Sequence, residues 1–257
     1  MKLYMMKLKF LFLFVTGFSF WVSCCDAQEL TAREIIKKAD DKTRGNSSEG
    51  EMTMTIVRTG WERSVTMKFW SLGTDYSMVL ITSPAKEKGQ SFLKIKKEMW
   101  NWVPSINRMI KIPPSMMMQS WMGSDFTNDD LVKESSILHD YEHTLLGKEM
   151  VNGKTCYKIQ LIALPDAPVV WGKILVWITC DGFDQWKGEY YDEEGELVNT
   201  MTASEIRRFG DREMPSKSEI VPAGKNGQKT VLIISKMIFD KPIDQGFFSQ
   251  QNMKKLK

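Results

Sequence analysis

Beyond residue 50 the chain alternates apolar and polar positions almost without relief. Met52, Met54 and Ile56 alternate with Thr53 and Thr55, and after the turn at Thr59 and Gly60 the residues Trp61, Val65, Met67 and Phe69 alternate with Glu62, Ser64, Thr66 and Lys68. A period of two sends successive side chains to opposite faces, which predicts strands of a sheet with one apolar face. Similar runs follow in "YSMVLI", which holds Met78 and Leu80, and in "SFLKIK", "EMWNWV", "CYKIQLI", "KILVWIT", "WKGEYYD", "ELVNTMTASEIRRF", "PSKSEIV" and "KTVLIISKMIFD". They are separated by turn-forming stretches such as "GTD", "KEKGQ", "DEEGE" and "AGKNGQ".

The pattern predicts a mainly β fold: one antiparallel meander of about ten or eleven strands, bent into a strongly curved sheet or incomplete barrel. Helical spacing is clearest in "LTAREIIKKADDKTRG", where Leu30, Ile35, Ile36 and Ala39 share a face, Thr31 is placed to cap and Gly45 to stop the helix. One short helix is too little to cover so wide a sheet. Part of the apolar face must therefore be covered by a loop or by a ligand, enclosing an apolar cavity.

The stretch from Pro104 to Leu131 is the candidate cover. It follows no helix or strand period and is long for a structureless connection, yet it is rich in apolar residues, unlike a disordered segment. Met116, Met117, Met118, Trp121, Met122 and Phe126 are read as a lid facing a ligand, with Asp125, Asp129 and Asp130 keeping its rim wet. Methionine is unbranched and polarizable and repacks around ligands of varied shape. The strand residues Met52, Met54, Ile56, Val65, Met67, Phe69, Met78 and Leu80 either line the cavity or fill an ordinary core. Trp100 and Trp102, on one side of a strand ending at Pro104, either floor the cavity or stack in a core.

The remaining composition changes the picture in three places. Lys2, Lys7 and Lys9 ahead of the apolar run from Phe10 to Val22 form an export signal, with cleavage after Ala27, so that 28–257 is expected to be a single domain. Lipid attachment at Cys24 or Cys25 is the alternative. Removing residues 1–27 takes the formal charge from +3 to +1, which does not support a nucleic-acid surface. The cysteines left, Cys156 and Cys180, fall opposite each other in a hairpin whose register closes Leu164 against Gly172, giving either a cross-strand disulfide or two free buried thiols.

Catalytic patterns are weak. His139 and His143 have the spacing of a metal pair on a helix, but Asp140 stands where a zinc protease needs glutamate and no third ligand is apparent. "AGKNGQKT" lies between two strands and reads as a hairpin turn, not a phosphate loop, and no serine has a nucleophile-elbow setting.

"MWNWVPSINRMIKI" followed by "SWMGSDFTNDDL" resembles the signature of the outer-membrane lipoprotein-sorting, LolA-like family: an aromatic-x-aromatic-x-Pro run, a downstream arginine at Arg108, and a "MGSDF" block from Met122 to Phe126. "LLGKEMVNGKTCYKI", "YYDEEGELVNT" and "PIDQGFFSQQNM" are similar to the family in order and spacing. The resemblance implies an incomplete antiparallel barrel in the periplasm that shelters the acyl chains of lipoproteins or other lipids, taken from an inner-membrane transporter and passed to an outer-membrane acceptor. It implies no enzyme activity and no cofactor. Arg108 and Asp125 are read as lid and gating residues, Arg108 holding the closed form by hydrogen bonds to backbone or carboxylate groups and releasing it when ligand enters. Two other classes stay open: a non-catalytic scaffolding lipoprotein at the outer membrane, and a periplasmic hydrolase.

Overall fold

The computed structural model describes residues 29–132, 136–165, 167 and 169–256. The expected export signal and the lipidation sites Cys24 and Cys25 lie outside them.

Helix α1, Ala32–Arg44, begins at Thr31, whose side chain and Glu34 form a reciprocal capping box, and ends at Gly45 in a left-handed turn with φ 66°. Its Ile35, Ile36 and Ala39 pack on Ile159, Leu161, Ile174, Val176 and Ile178 of the sheet. Each of the two buried isoleucines contributes about 1.5–3 kcal/mol through removal from water. Lys42 Nζ reaches Asp184 Oδ1 at 2.6 Å and the Gly182 carbonyl at 2.8 Å, fixing the C-terminal turn of the helix across the inner face.

The sheet has thirteen antiparallel strands: β1 Ser47–Arg58, β2 Trp61–Leu72, β3 Tyr76–Ser83, β4 Ser91–Ile95, β5 Glu98–Val103, β6 Arg108–Lys111, β7 Tyr141–Val151, β8 Lys154–Ala163, β9 Lys173–Thr179, β10 Gln185–Tyr191, β11 Leu197–Phe209, β12 Arg212–Pro222 and β13 Lys229–Phe239. Their order is β6-β5-β4-β3-β2-β1-β13-β12-β11-β10-β9-β8-β7. The sheet is strongly curved and not closed, with β6 and β7 at its edges.

The expected single meander is therefore two. One runs from β1 to β6 and the other from β7 to β13, and they join where β1 pairs with β13 in the middle of the sheet. Two strands exceed the sequence expectation. β6 lies inside the stretch read as a loop, and β7 is mostly exposed, so its sequence carries little apolar alternation.

Alternation assigns the faces. Val79 and Ile81 of β3 join the inner cluster of Met54, Ile56, Val65 and Met67, while Met78 joins Leu93, Trp100 and Trp102 on the other face. That outer cluster is covered by the C-terminal segment, where α3, Gln250–Met253, and Phe248 bury against it. Ser91 Oγ donates to the Met253 carbonyl at 2.8 Å, and Lys254 Nζ sits 5.2 Å from the Trp102 ring.

The β8–β9 hairpin differs by one residue from the register that would set the cysteines opposite each other. Cys156 faces Thr179, and Cys180 lies one position past the end of β9. Both thiols are free, and burial pushes the Cys156 thiol up to about 11. The slip arises because the Gly172 carbonyl receives the Ala163 N–H instead of closing on Leu164, whose N–H turns to the Asp140 carbonyl.

His143, on β7, donates its Nε2 proton to the Ile137 carbonyl at 2.7 Å, and His139 is exposed. Burial lowers the pKa of His143 below its ordinary 6.5, opposed by that hydrogen bond and aided by Arg33. The folded protein thus favours the neutral ring, so its contribution to stability is full above about pH 6.5 and is lost as pH falls from there through the lower folded-state pKa. The melting temperature is expected to drop on acidification through this window, and His143→Gln should flatten that part of a Tm-versus-pH curve.

Candidate functional site

Between α1, the inner face of the sheet and the segment after β6 lies a cavity of about 430 Å³, within the range of small-ligand sites. Its wall is mostly aliphatic and aromatic. Ile36 and Ala39 come from α1, Met52, Met67 and Val79 from β1–β3, and Ile174, Val176, Met201, Ile220 and Leu232 from β9–β13. Polar groups are few: Asp40, Thr43, Gln185 and Ser218, with Asp129 and Asp130 at the covering segment.

The covering segment runs from Ile112 to α2, Asn128–Val132, and is folded through single helical turns at Pro114–Met116 and Trp121–Gly123. A bridge between Ser120 and Thr127 closes a compact lobe, and Asn128 Nδ2 donates to the Met116 carbonyl at 2.9 Å. Trp121 and Phe126 of this lobe line the cavity. Trp121 is buried with its ring edge-on to Phe92 at 5.3 Å, and its indole N–H has no acceptor among the described residues.

Two guanidinium groups clamp the lobe to the sheet. Met122 and Gly123 adopt successive left-handed conformations, φ 53° and 80°, which turn their carbonyls toward the β1–β2 hairpin. Arg63 Nη2 reaches the Met122 carbonyl at 2.6 Å. Arg58 Nη2 reaches the Gly123 carbonyl at 3.0 Å, and its two terminal nitrogens meet the two Asp125 oxygens at 3.0 and 3.1 Å. Such paired contacts fix position as well as charge.

Asp125 accepts a further hydrogen bond from Thr230 Oγ1 at 2.6 Å, its N–H donates to that same oxygen at 3.0 Å, and its carbonyl accepts from Asn199 Nδ2 at 3.3 Å. The side chains of Arg58 and Asp125 are 15% and 9% exposed, so the pair works in a poorly solvated setting.

At the other end of the lobe Asp130 accepts from Trp171 Nε1 at 3.0 Å, and Tyr141 donates its hydroxyl proton to the Trp171 carbonyl at 3.0 Å. Burial, followed by the charges of Asp129, Asp130 and Asp140, raises the Tyr141 phenol well above its usual range, keeping it a donor. Among the described residues no cluster of His, Cys, Asp and Glu is arranged to hold a metal ion.

The structure divides the residues singled out in the sequence. Met52, Met67, Trp121 and Phe126 line the cavity. Met54, Ile56 and Val65 pack in the inner cluster beneath the lobe, with Met116, Met117 and Met122 against them. Phe69 lies farther along the inner face beside Met237.

Met78, Trp100 and Trp102 lie on the outer face, and Leu80 shares the parity of Met78. Their strands alternate as expected, but the C-terminal segment, not a ligand, covers that side. Met118 is 68% exposed. Arg108, expected to gate the lid, is an exposed residue at the start of edge strand β6, away from the lobe's hydrogen bonds; the arginine that meets Asp125 is Arg58. An arginine closing an alternating strand gives no local sign that it will reach 67 residues onward.

An open antiparallel sheet wrapped over a helix and a folded cover is the LolA-like architecture. A DUF1329 family protein from Desulfovibrio piger superposes with a TM-score of 0.80 at 21% identity, covering 86% of this chain and 97% of its own. A structure from Vibrio parahaemolyticus described as an outer membrane lipoprotein-sorting protein domain gives 0.76 at 20%, covering 87% and 98%. A LolA superfamily protein from Nitrosomonas europaea gives 0.74 at 24%, covering 87% and 99%. A family model whose description reads "uncharacterized protein" matches residues 73–255, and the chain belongs to that family. No curated protein sequence matches it.

Proposed function

We propose that the protein is a periplasmic carrier that takes the acyl chain of a lipid or lipoprotein into the cavity and moves it from an inner-membrane donor toward an outer-membrane acceptor. The observation that carries this reading is the apolar cavity walled on one side by a separately folded lobe. Burying about ten methylenes there would contribute about 8 kcal/mol before the cost of ordering the chain, so a dry hollow with a detachable wall meets the physical need of moving hydrocarbon through water. The unpartnered indole N–H of Trp121 suits the ester or carboxyl oxygen that such a ligand carries.

The test is mass spectrometry of lipid extracted from protein purified without detergent. Lipid is expected in the native protein, and Ile220→Trp, which fills the hollow from the β12 wall, is expected to lower the recovered amount several-fold with little change in Tm. Protein that carries no lipid, or a filled variant that carries as much as the native chain, would end the proposal.

A further inference from the structure

Because alternate strand connections emerge at the same end of an antiparallel sheet, four neighbouring connections lie side by side near the lobe. They are β12–β13 at 223–228, β1–β2 at 59–60, β3–β4 at 84–90 and β5–β6 at 104–107. Contacts tie this row together: Arg63 Nη1 pairs with Glu87 Oε1 at 2.9 Å, and a Cβ placed on Gly89 would stand 3.5 Å from the Pro104 ring.

The row exposes two large apolar side chains, Trp61 at 52% and Ile106 at 57%, among the exposed cations Lys86, Lys88, Arg108 and Lys225. Of its two carboxylates, Glu87 is taken by Arg63, which leaves Glu62 as the acidic exception. At the same end of the sheet, the β10–β11 connection carries Asp192, Glu193, Glu194 and Glu196. The end of the sheet is thus split into a basic, apolar arc and an acidic one.

A tryptophan at a hairpin tip, an aliphatic tip beside it and exposed cations that have no ion-pair partner among the described residues match the chemistry of a bilayer interface with anionic headgroups. We infer that this arc is a docking surface for an anionic phospholipid bilayer, with Trp61 and Ile106 entering the headgroup region and the acidic arc turned away. The inference extends the carrier reading by naming what the loaded or empty protein touches.

It also places the lobe. Trp61 stands between Arg58 and Arg63, the two residues that clamp Met122, Gly123 and Asp125, so the hairpin that meets the bilayer is the one that holds the cavity wall shut.

The experiment is co-sedimentation of the full chain with vesicles of phosphatidylethanolamine and phosphatidylglycerol, compared with vesicles of phosphatidylcholine alone, at low and high salt. Binding is expected only to the anionic vesicles, and salt should weaken it. At about 1 kcal/mol per cation, Lys86→Ala with Lys88→Ala is expected to weaken it roughly twenty- to thirtyfold. Trp61→Ala should weaken it too, and none of these exposed changes should move Tm or the lipid recovered in the cavity.

Equal binding to both vesicle types, no binding, or variants that bind as the native chain does would overturn the docking surface. So would variants that lose transport in cells while the native chain ignores vesicles, which would assign the arc to a protein partner. Cavity lipid is scored on the same samples, so a native chain that carries lipid yet binds no anionic vesicles rejects the docking surface and leaves the carrier reading standing.

Discussion

Arg58→Ala is expected to cost about 3–5 kcal/mol of stability and to loosen the lobe from the sheet, because removal of the guanidinium leaves the Asp125 carboxylate with an unmatched charge in a poorly solvated place. The two opposed pairs of atoms, at 3.0 and 3.1 Å, and the Gly123 carbonyl at 3.0 Å would all lose their donor together. Thr230 remains on Asp125 but supplies one neutral hydrogen bond. Arg58→Lys should fall between native and alanine, since an ammonium cannot meet both carboxylate oxygens in the forked geometry.

Chemical denaturation measures the loss, and hydrogen exchange over residues 112–130 reports whether the lobe opens locally. A change below about 1 kcal/mol, the range of exposed ion pairs, would show that the clamp contributes little. If the lobe opens while the sheet keeps its protection, the clamp is also the release point for the cavity wall.

Gly50→Ala should have the second large effect. A Cβ there would lie 2.3 Å from the Lys236 carbonyl oxygen and 2.7 Å from Phe69 Cζ, and the first of these is backbone of the neighbouring strand. Gly50 faces Met237 and Phe69 in register, beside the bulge between Glu51 and Met52. The side chain of Phe69 occupies the space that a methyl group would need. Overpacking of this kind costs about 1–3 kcal/mol and more when backbone must move. Phe69→Ala together with Gly50→Ala should recover part of the loss, and an alanine variant with native Tm would show that the strands part more easily than the contact distances imply.

These two positions also mark how far the sequence could be read. Alternation located eleven of the strands and set Trp100 and Trp102 on one face, but parity fixes which residues of a strand share a face and not which face meets the helix. Met78 was therefore grouped with Met54 and Met67 although it lies on the other side. The choice of face rests on the C-terminal segment, whose Phe248 and Met253 bury against the outer side. Strand neighbours were illegible for a similar reason: Met52 pairs with Ile234 across the length of the chain, and nothing local distinguishes that from a continuing meander.

The helix ends were legible because Thr31 and Gly45 each act on backbone within a turn of their own position; the Glu34 half of the capping box was not read. The lobe was legible as an apolar segment set over the sheet from its composition, whereas Asp125 was read as a wetted rim residue and the structure shows it half of an ion pair with Arg58. That pairing was not legible, since an ion pair spanning two elements leaves no periodic trace.

The pairing of β1 with β13 sets an order on assembly. The first strand made waits with one side bare until the last strand has been synthesised, and only then do the two half-sheets become one. A chain that emerges on the far side of a membrane from its amino end would present that bare side throughout its passage, and such edges recruit other strands. Binding by a holdase to the β1–β6 half before β13 appears would keep the two halves available for each other, and shortening the chain ahead of Lys229 should yield aggregate in place of a smaller soluble product.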